Sequence, residues 1–341
     1  IKKVGYSVMT DQNQELKKGK WQLYQGDEDS WGEMLKNFPN KGYLNDISWG
    51  KHLSNMGWVC LRWEFSKSGS PKGYCQSFFK SYPFGVGMVW IPDGIVGDYR
   101  YISSLHHDLF HSLDVKYCYI RLRDSMVFNA DDHIKFLIGG WVRPKISLSA
   151  GMTMSLDISQ STEVIKAGLR KNWRRTLKKS SNMPFDIVTV SDPIAIAGLY
   201  LEMKSSKSLR AREIYSGDAI KSMMKSYGNS IIVVGARDIE GNLVAIRGAI
   251  LAKEKATDIF AATSQAGRAL MASHSLLMAL IAGCQKKGCI SYDLNGIDPS
   301  NNMGVYNFKK GTGASSVVAL GEFEWSSNKL LSFAANFVSK Y

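Results

Sequence analysis

Apolar positions recur along the chain in two registers. Between residues 29 and 58 they fall at helical spacing, at Trp31, Met34 and Leu35 and again at Trp49 and Leu53, with a Pro/Asn/Gly break over residues 39–42. From residue 59 the register changes to alternation. Residues 59–65 and 73–80 flank a Ser/Gly/Pro/Lys turn and predict a hairpin, and residues 88–91 predict a third strand that ends at Pro92-Asp93-Gly94. An amphipathic helix over 101–112 and a strand over 115–121 follow.

The same order returns after about residue 150. Strands are expected at 152–158 and 186–190, helices at 162–179, 194–206 and 217–227, and a hairpin at 231–237 and 243–252 around Glu240-Gly241-Asn242. A strand at 256–263, a helix at 273–286 and a strand at 289–294 complete the series, before a strand-like 315–323 and a last helix at 325–341. This predicts an α/β (α+β) fold of two similar domains, each a mixed sheet flanked by helices. The first spans 1–150 and takes back the final helix, 325–341; the second spans 151–324. A length of 341 residues agrees with two domains.

Composition adds a partner to this picture. Lys and Arg number 43 against 30 Asp and Glu, a formal charge of +13, so the surface suits phosphates, nucleic acid or peripheral contact with an anionic membrane face. A 45% hydrophobic content excludes a disordered chain. The longest apolar runs, such as 276–282, fall far short of the roughly 18 residues of a spanning helix, and no apolar segment near Ile1-Lys2-Lys3 suggests a signal peptide. Cys60, Cys75, Cys118, Cys284 and Cys289 form no CxxC pair, which points to reduced thiols in the cytoplasm rather than a disulfide framework or zinc site. His107 and His111 are spaced for a metal on the 101–112 helix, but no HExxH motif or acidic third ligand accompanies them. They read, with His106 and His274, as ordinary surface or core histidines.

Three segments carry candidate chemistry. The 162–179 helix holds Lys166, Arg170, Arg174 and Lys178 at four-residue spacing, with Lys171, Arg175 and Lys179 on the adjacent row. Like charges at that spacing oppose a helix by a few tenths of a kcal/mol per pair. A phosphate-binding stripe explains them better than a solvated face. Trp173 on the same helix reads as core. The segment 263–270 is a Gly-containing loop before a helix; its amides and Arg268 could hold a pyrophosphate, while Ser273 could equally be an ordinary N-cap. Finally, residues 292–299 read as a strand end opening into a Gly/Asn/Pro loop, followed by Phe308, Lys309 and Lys310 ahead of a glycine turn. Core building does not require that combination.

Taken together, Lys171-Asn172-Trp173-Arg174-Arg175, Ser264-Gln265-Ala266-Gly267-Arg268, Tyr292 to Pro299 and Phe308-Lys309-Lys310-Gly311 resemble the Fem family of aminoacyl-tRNA-dependent peptidyltransferases, which have tandem acetyltransferase-like (GNAT-like) domains. The resemblance runs from about 152 to 324. In the first half, residues 92–98 keep the frame of the family's Pro-Arg-Gly-Pro-Val-x-Asp turn but carry Asp93 for the arginine and Ile95 for the second proline, while Asp98 matches. Residues 43–49 keep a second motif with Asn45 for its glutamine.

The resemblance implies transfer of an activated amino acid from aminoacyl-tRNA to an amine on a nucleotide- or lipid-linked envelope precursor, of peptidoglycan or surface polysaccharide. The reaction would run in the cytoplasm or at the inner membrane face, with tRNA as co-substrate and neither metal nor other cofactor. Lys309 would stabilise the oxyanion, with Lys310 as its fallback and as a substrate contact, and Phe308 would position the terminal adenosine or the lysine. Asp98 would orient the amine or accept its proton, ahead of Asp293 and Asp298. Arg210, Arg212 and Tyr215 would meet acceptor phosphates, Tyr292 and Asn295 would contact substrate, and Lys166, Arg170, Lys171, Arg174, Arg175, Lys178 and Arg268 would meet the tRNA. Two alternatives remain: an acyl-CoA-dependent N-acyltransferase acting on a nucleotide- or lipid-linked amino sugar, and a non-catalytic RNA-binding module.

Overall fold

Alternating segments become strands, and the helical ones cover them. In the computed structural model, which describes residues 19–38, 42–206 and 216–338, the chain begins β1 (Gly19–Leu23), α1 (Glu28–Leu35), α2 (Ile47–Asn55), β2 (Val59–Lys67), β3 (Ser70–Tyr82), β4 (Val86–Ile91) and the two-residue β5 (Val96–Gly97). Then come α3 (Ile102–Ser112), β6 (Tyr117–Val127) and α4 (Ala130–Ile138). The middle of the chain runs β7 (Met152–Asp157), α5 (Thr162–Gly168), α6 (Lys171–Ser180), β8 (Phe185–Thr189), α7 (Pro193–Ser206), α8 (Gly217–Tyr227), β9 (Ile231–Asp238) and β10 (Leu243–Ala252). It continues through β11 (Lys255–Thr263), α9 (Gln265–Ala269), α10 (Ala272–Lys286), β12 (Ser291–Gly296) and α11 (Met303–Gly311) to β13 (Ser315–Ser326) and α12 (Lys329–Val338).

These elements form two compact units, one reaching to Gly151 and resuming at Val318, the other spanning Met152–Val317. The chain re-enters the first unit ahead of Trp325, where the sequence placed the return. The reason is that a strand returns as well as a helix: β13 pairs antiparallel with β6, from Ala319↔Val127 to Ser326↔Tyr119.

In the first unit the strands lie in the order β1-β2-β3-β4-β6-β13. Every pair is antiparallel except β4 and β6. That parallel pair needs a crossover, and α3 supplies it with Leu105 and Leu109 fully buried one turn apart. Trp63, Phe65, Ile91, Ile120, Leu122, Phe136 and Phe323 fill the core beneath. Besides the two-residue β5, two elements here were unseen in the sequence. Strand β1 buries only Trp21, and α4, capped by Asn129, buries only Phe136.

The second unit repeats the plan except at one end of the order, where its first strand, β7, takes the place that the last strand, β13, takes in the first. Its order is β8-β9-β10-β11-β12-β7, again antiparallel throughout except for one pair, β11 and β12, which α10 connects. Leu277, Leu280, Ile281 and Cys284 of α10 pack on Ala249, Ala256, Tyr292 and Leu294. One expected helix is two here. The 162–179 segment breaks after Gly168, where Leu169 and Arg170 are extended (ψ 141° and 147°). Leu169 is buried, and the amide of Arg170 donates to the Gly311 carbonyl at 2.9 Å. Among the described residues no helix is long and apolar enough to cross a membrane.

Candidate active site

The parallel strands β11 and β12 stay together for three residue pairs, Lys255↔Ser291 to Thr257↔Asp293, and then part. Asn295 marks the point. It takes a left-handed backbone (φ 64°), which asparagine tolerates better than most residues, and its side-chain amide donates to the Asp258 carbonyl at 2.9 Å. A side chain thus replaces the ladder where the backbones have diverged. The carbonyls of Asn295 and Gly296 are left facing the opening, and Lys309 meets both: its Nζ lies 3.2 Å from the first and 2.7 Å from the second. One of its three N–H groups has no partner among the described residues.

Lys309 sits in the last turns of α11, a segment expected to be loop. The helix begins at Asn302, whose side chain accepts from Val305 N at 3.3 Å, and it buries only Lys309 and Gly311. Gly311 is required by proximity, since a Cβ there would come within 2.4 Å of the Trp173 ring. Beneath Lys309 lies a buried pair, Arg247 of β10 and Asp258 of β11, in direct contact through Nη2 and Oδ2. The Arg247 guanidinium stands 5.2 Å from the Phe308 ring centroid. Phe308 also contacts His274 (5.0 Å, edge-on) and Trp173 (5.7 Å). Arg247 Nε, Asp258 Oδ1 and Trp173 Nε1 are buried without a hydrogen-bond partner. Unmet donors and acceptors of this kind mark a place where the polar groups of a substrate or water can be received.

Electrostatics follow from that burial. Desolvation pulls the Lys309 ammonium down to about 8; Asp258 and Asp293 oppose the fall and Arg247 adds to it. The group is therefore mostly charged near neutrality, yet close to giving up its proton. Burial likewise pushes the Asp258 carboxyl up, against the pull of Arg247 and Lys309. His274, half-buried between Trp173 and Phe308, is held below its usual value by desolvation and stays neutral.

The other expected residues divide sharply. Tyr292 is fully buried in the core, its hydroxyl pushed well up by burial and, like Arg247 Nε and Asp258 Oδ1, without a hydrogen-bond partner. Asn295 holds the strand opening. Lys310 is half-exposed, with Nζ 5.1 Å from the Tyr306 ring. Asp293 accepts from Thr153 and from Asn295 N and lies 3.1 Å from Lys255, while Asp298 caps the turn at Ser300 and Asn301. Asp98 belongs to the first unit, where it caps a 3-10 turn and pairs with Arg100 at 2.6 Å. Burial raises its carboxyl, and the bonds to Arg100 outweigh this and hold it below the usual value. Arg210, Arg212 and Tyr215 lie outside the described residues.

The expected stripe of seven cations is not continuous. Lys166 is on α5 and Arg170 is the extended N-cap of α6, so the single stripe is replaced by five cations, Lys171, Arg174, Arg175, Lys178 and Lys179, on the exposed face of α6. The break serves the site. Trp173 and Leu177 on the buried face of α6 pack into the core that holds Phe308, and the Arg170 amide ties α6 to the end of the Lys309 helix. Segment 263–270 is not an open loop. Ser264 caps the short helix α9 through Gly267 N, Gly267 is pressed against the Val244 carbonyl, and Arg268 bonds back to the Thr263 carbonyl at 3.0 Å. The N-cap of α10 is Met271, in a left-handed conformation, rather than Ser273, which bonds Thr263.

Arg247 and Asp258 were missed in the sequence. The only signal was a charge in the interior of each of two largely apolar strands, as in Ala245-Ile246-Arg247-Gly248-Ala249. Among the described residues no group of three or more His, Cys, Asp and Glu is placed to hold a metal; the His107 and His111 rings are 4.2 Å apart, and His107 Nδ1 faces Asp108 Oδ1 at 3.5 Å.

The family model of the FemAB family matches residues 218–340. No curated protein sequence matches the chain. Solved structures of similar fold include the crystal structure of FemX, at 14% identity and TM-score 0.77, covering 92% of this chain and 100% of that one. They also include a tandem GNAT protein from the clavulanic acid biosynthesis pathway (13%, 0.58, 91% and 99%) and L-PGS from Bacillus licheniformis (12%, 0.54, 92% and 96%). At these identities the structural likeness is one of fold, the tandem GNAT-like architecture. The resemblance to the Fem family is matched by the family model over residues 218–340, and the expected fold class is borne out by the tandem GNAT-like structures.

Proposed function

We propose that the protein is an aminoacyltransferase that moves an activated amino acid from aminoacyl-tRNA to an amine on a cell-envelope precursor, of peptidoglycan or surface polysaccharide. The observation that carries this reading is Lys309: a buried ammonium with one uncommitted N–H, at the mouth of two parted strands, on a helix tied to the basic helix α6. The acceptor amine adds to the ester carbonyl, forming the C–N bond and an oxyanion. Lys309 donates its remaining N–H to that oxygen. The intermediate then expels the ribose oxygen of the tRNA, breaking the C–O bond. A lysine held at about 8 can supply the proton that the leaving oxygen needs, while the amine releases one to water.

Other residues of the second unit support this step. The five cations of α6 suit the phosphates of the donor, and Phe308 offers a ring face braced by Trp173, His274 and Arg247. In the first unit, Asp98 is held below the usual carboxylate value by its bonds to Arg100, a state that suits contact with an ammonium better than proton abstraction. The tRNA is a co-substrate, and the step asks for no metal or other cofactor.

The test is transfer in vitro from charged tRNA to a nucleotide-linked muropeptide or amino-sugar acceptor, with acyl-CoA as the competing donor. Amide formation with charged tRNA supports the reading. Transfer from acyl-CoA alone would replace it with the CoA-dependent enzyme, and tRNA binding without transfer from either donor would leave an RNA-binding module.

A further inference from the structure

Helix α12 (Lys329–Val338) has its faces reversed. Its polar side chains turn inward: Ser332 Oγ donates to Glu324 at 2.9 Å, and Asn336, 4% exposed, donates to both oxygens of Glu324 at 3.0 and 2.9 Å. Asn336 Oδ1 also accepts from the Ile146 amide at 3.3 Å. The large apolar side chains turn outward. Leu330, Phe333 and Phe337 are 78, 65 and 57% exposed, and at roughly 100° per residue they share one narrow face. A helix fastened by its polar side and presenting Leu330 and Phe333 to water is built to be covered by something apolar.

Charge indicates what covers it. Lys329 opens the helix and Lys145 extends toward the Phe333 ring, 6.0 Å from its centroid, both side chains exposed. From residue 329 to the last residue given the sequence holds two lysines and no acid, and the acids next to the helix, Glu322 and Glu324, are buried and committed to Arg121, Tyr119, Ser332 and Asn336. Lysines flanking an aromatic and aliphatic face match the boundary between phosphate headgroups and acyl chains, where the ammonium reaches phosphate while the rings enter the apolar layer.

We propose that α12 docks the protein on an anionic lipid bilayer, with Leu330 and Phe333 entering the acyl boundary and Lys329 and Lys145 meeting lipid phosphates. The inference stands apart from the transfer reading and would survive its failure. Co-sedimentation of the full chain with vesicles of mixed phosphatidylglycerol and phosphatidylcholine tests it. Wild type should pellet with these vesicles, and less with phosphatidylcholine alone. The double variant Leu330→Ser, Phe333→Ser should bind at least about tenfold more weakly. Lys145→Glu with Lys329→Glu should remove the preference for the anionic lipid. Because all four side chains are exposed, thermal melting should not change. Absence of vesicle binding, or equal binding by the serine variant, overturns the proposal. So does sedimentation equilibrium showing a lipid-free dimer that the serine variant dissolves, since a second copy would then cover the face.

Discussion

The two sheets share one set of strand directions and five positions in the same order, the sixth being filled by the last strand of the first unit and by the first strand of the second. They differ further at their parallel pairs. In the first unit, β4 and β6 run together over six residue pairs, from Val86↔Tyr117 to Ile91↔Leu122, and the Gly94 amide continues the contact to the Arg123 carbonyl at 2.8 Å. In the second, β11 and β12 part after three. Buried charge follows the same division. The guanidinium of Arg121 is committed at Nε, Nη1 and Nη2 to Glu322, Tyr119, Glu324 and the Ile146 carbonyl. Arg247 and Asp258, by contrast, each keep a buried atom without a partner, and Lys309 keeps one free N–H. At its parallel pair the same fold is closed in one unit and open in the other. What separates them is whether the backbone ladder is completed or replaced by Asn295 and Lys309.

The largest effect that can break this comparison is at Lys309. Lys309→Ala should lower kcat for transfer by about 10²–10³-fold while donor binding holds, as expected for loss of an oxyanion donor; single-turnover kinetics with charged tRNA would read this. The pH profile carries the same point, because activity should fall as pH rises through about 8 and the ammonium deprotonates. Stability should move the other way. The folded-state value lies below the ordinary 10.5, so the folded protein binds fewer protons between about 8 and 10.5 and gains stability across that window. Below about 8 the buried charge costs roughly 3 kcal/mol. Lys309→Met should flatten that rise in a denaturant titration repeated at several pH values.

A second contrast lies in the buried pairs. Asp258→Asn strands a buried guanidinium and should cost about 3–5 kcal/mol. It should also move the alkaline limb of the activity profile to lower pH, since Asp258 raises the Lys309 value. In the first unit, Glu322→Gln should destabilise through the same physics and leave that limb in place. A shift of the limb by Glu322→Gln would erase the distinction between support and site.

Smaller effects are expected on the surface. Alanine at Lys171, Arg175 and Lys178 together should weaken tRNA binding about tenfold near physiological salt and flatten the slope of log K against log salt by about two. Arg268→Ala should change donor binding less than about twofold, because that side chain folds back on its own loop. A large loss at Arg268 would instead favour a pyrophosphate donor bound at α9.

Much of this plan was legible because period and burial coincide. Strands β2, β3, β4, β10 and β11 alternate or run apolar between turn residues, and α3 and α10 bury their apolar positions at helical spacing. Helix α11 was unreadable for the opposite reason. Its buried residues are a lysine and a glycine, so Met303–Gly311 shows no apolar period. The split of α5 from α6 was equally invisible, because its cause, the Gly311 carbonyl receiving the Arg170 amide, lies 141 residues downstream.

The sequence by itself determined the repeated α/β plan, the positive surface and the presence of Lys309 beside an aromatic and a glycine. These are local properties: periodicity, charge and turn chemistry act within a few residues of where they are written. Only the tertiary structure decided that Lys309 would be buried over an Arg247–Asp258 pair, that Tyr292 would be core, and that α12 would turn its phenylalanines outward. Those outcomes depend on which distant groups satisfy one another. A charged or polar side chain goes where its hydrogen bonds and counter-charges can be met, and in this chain they are met by residues from other strands and helices.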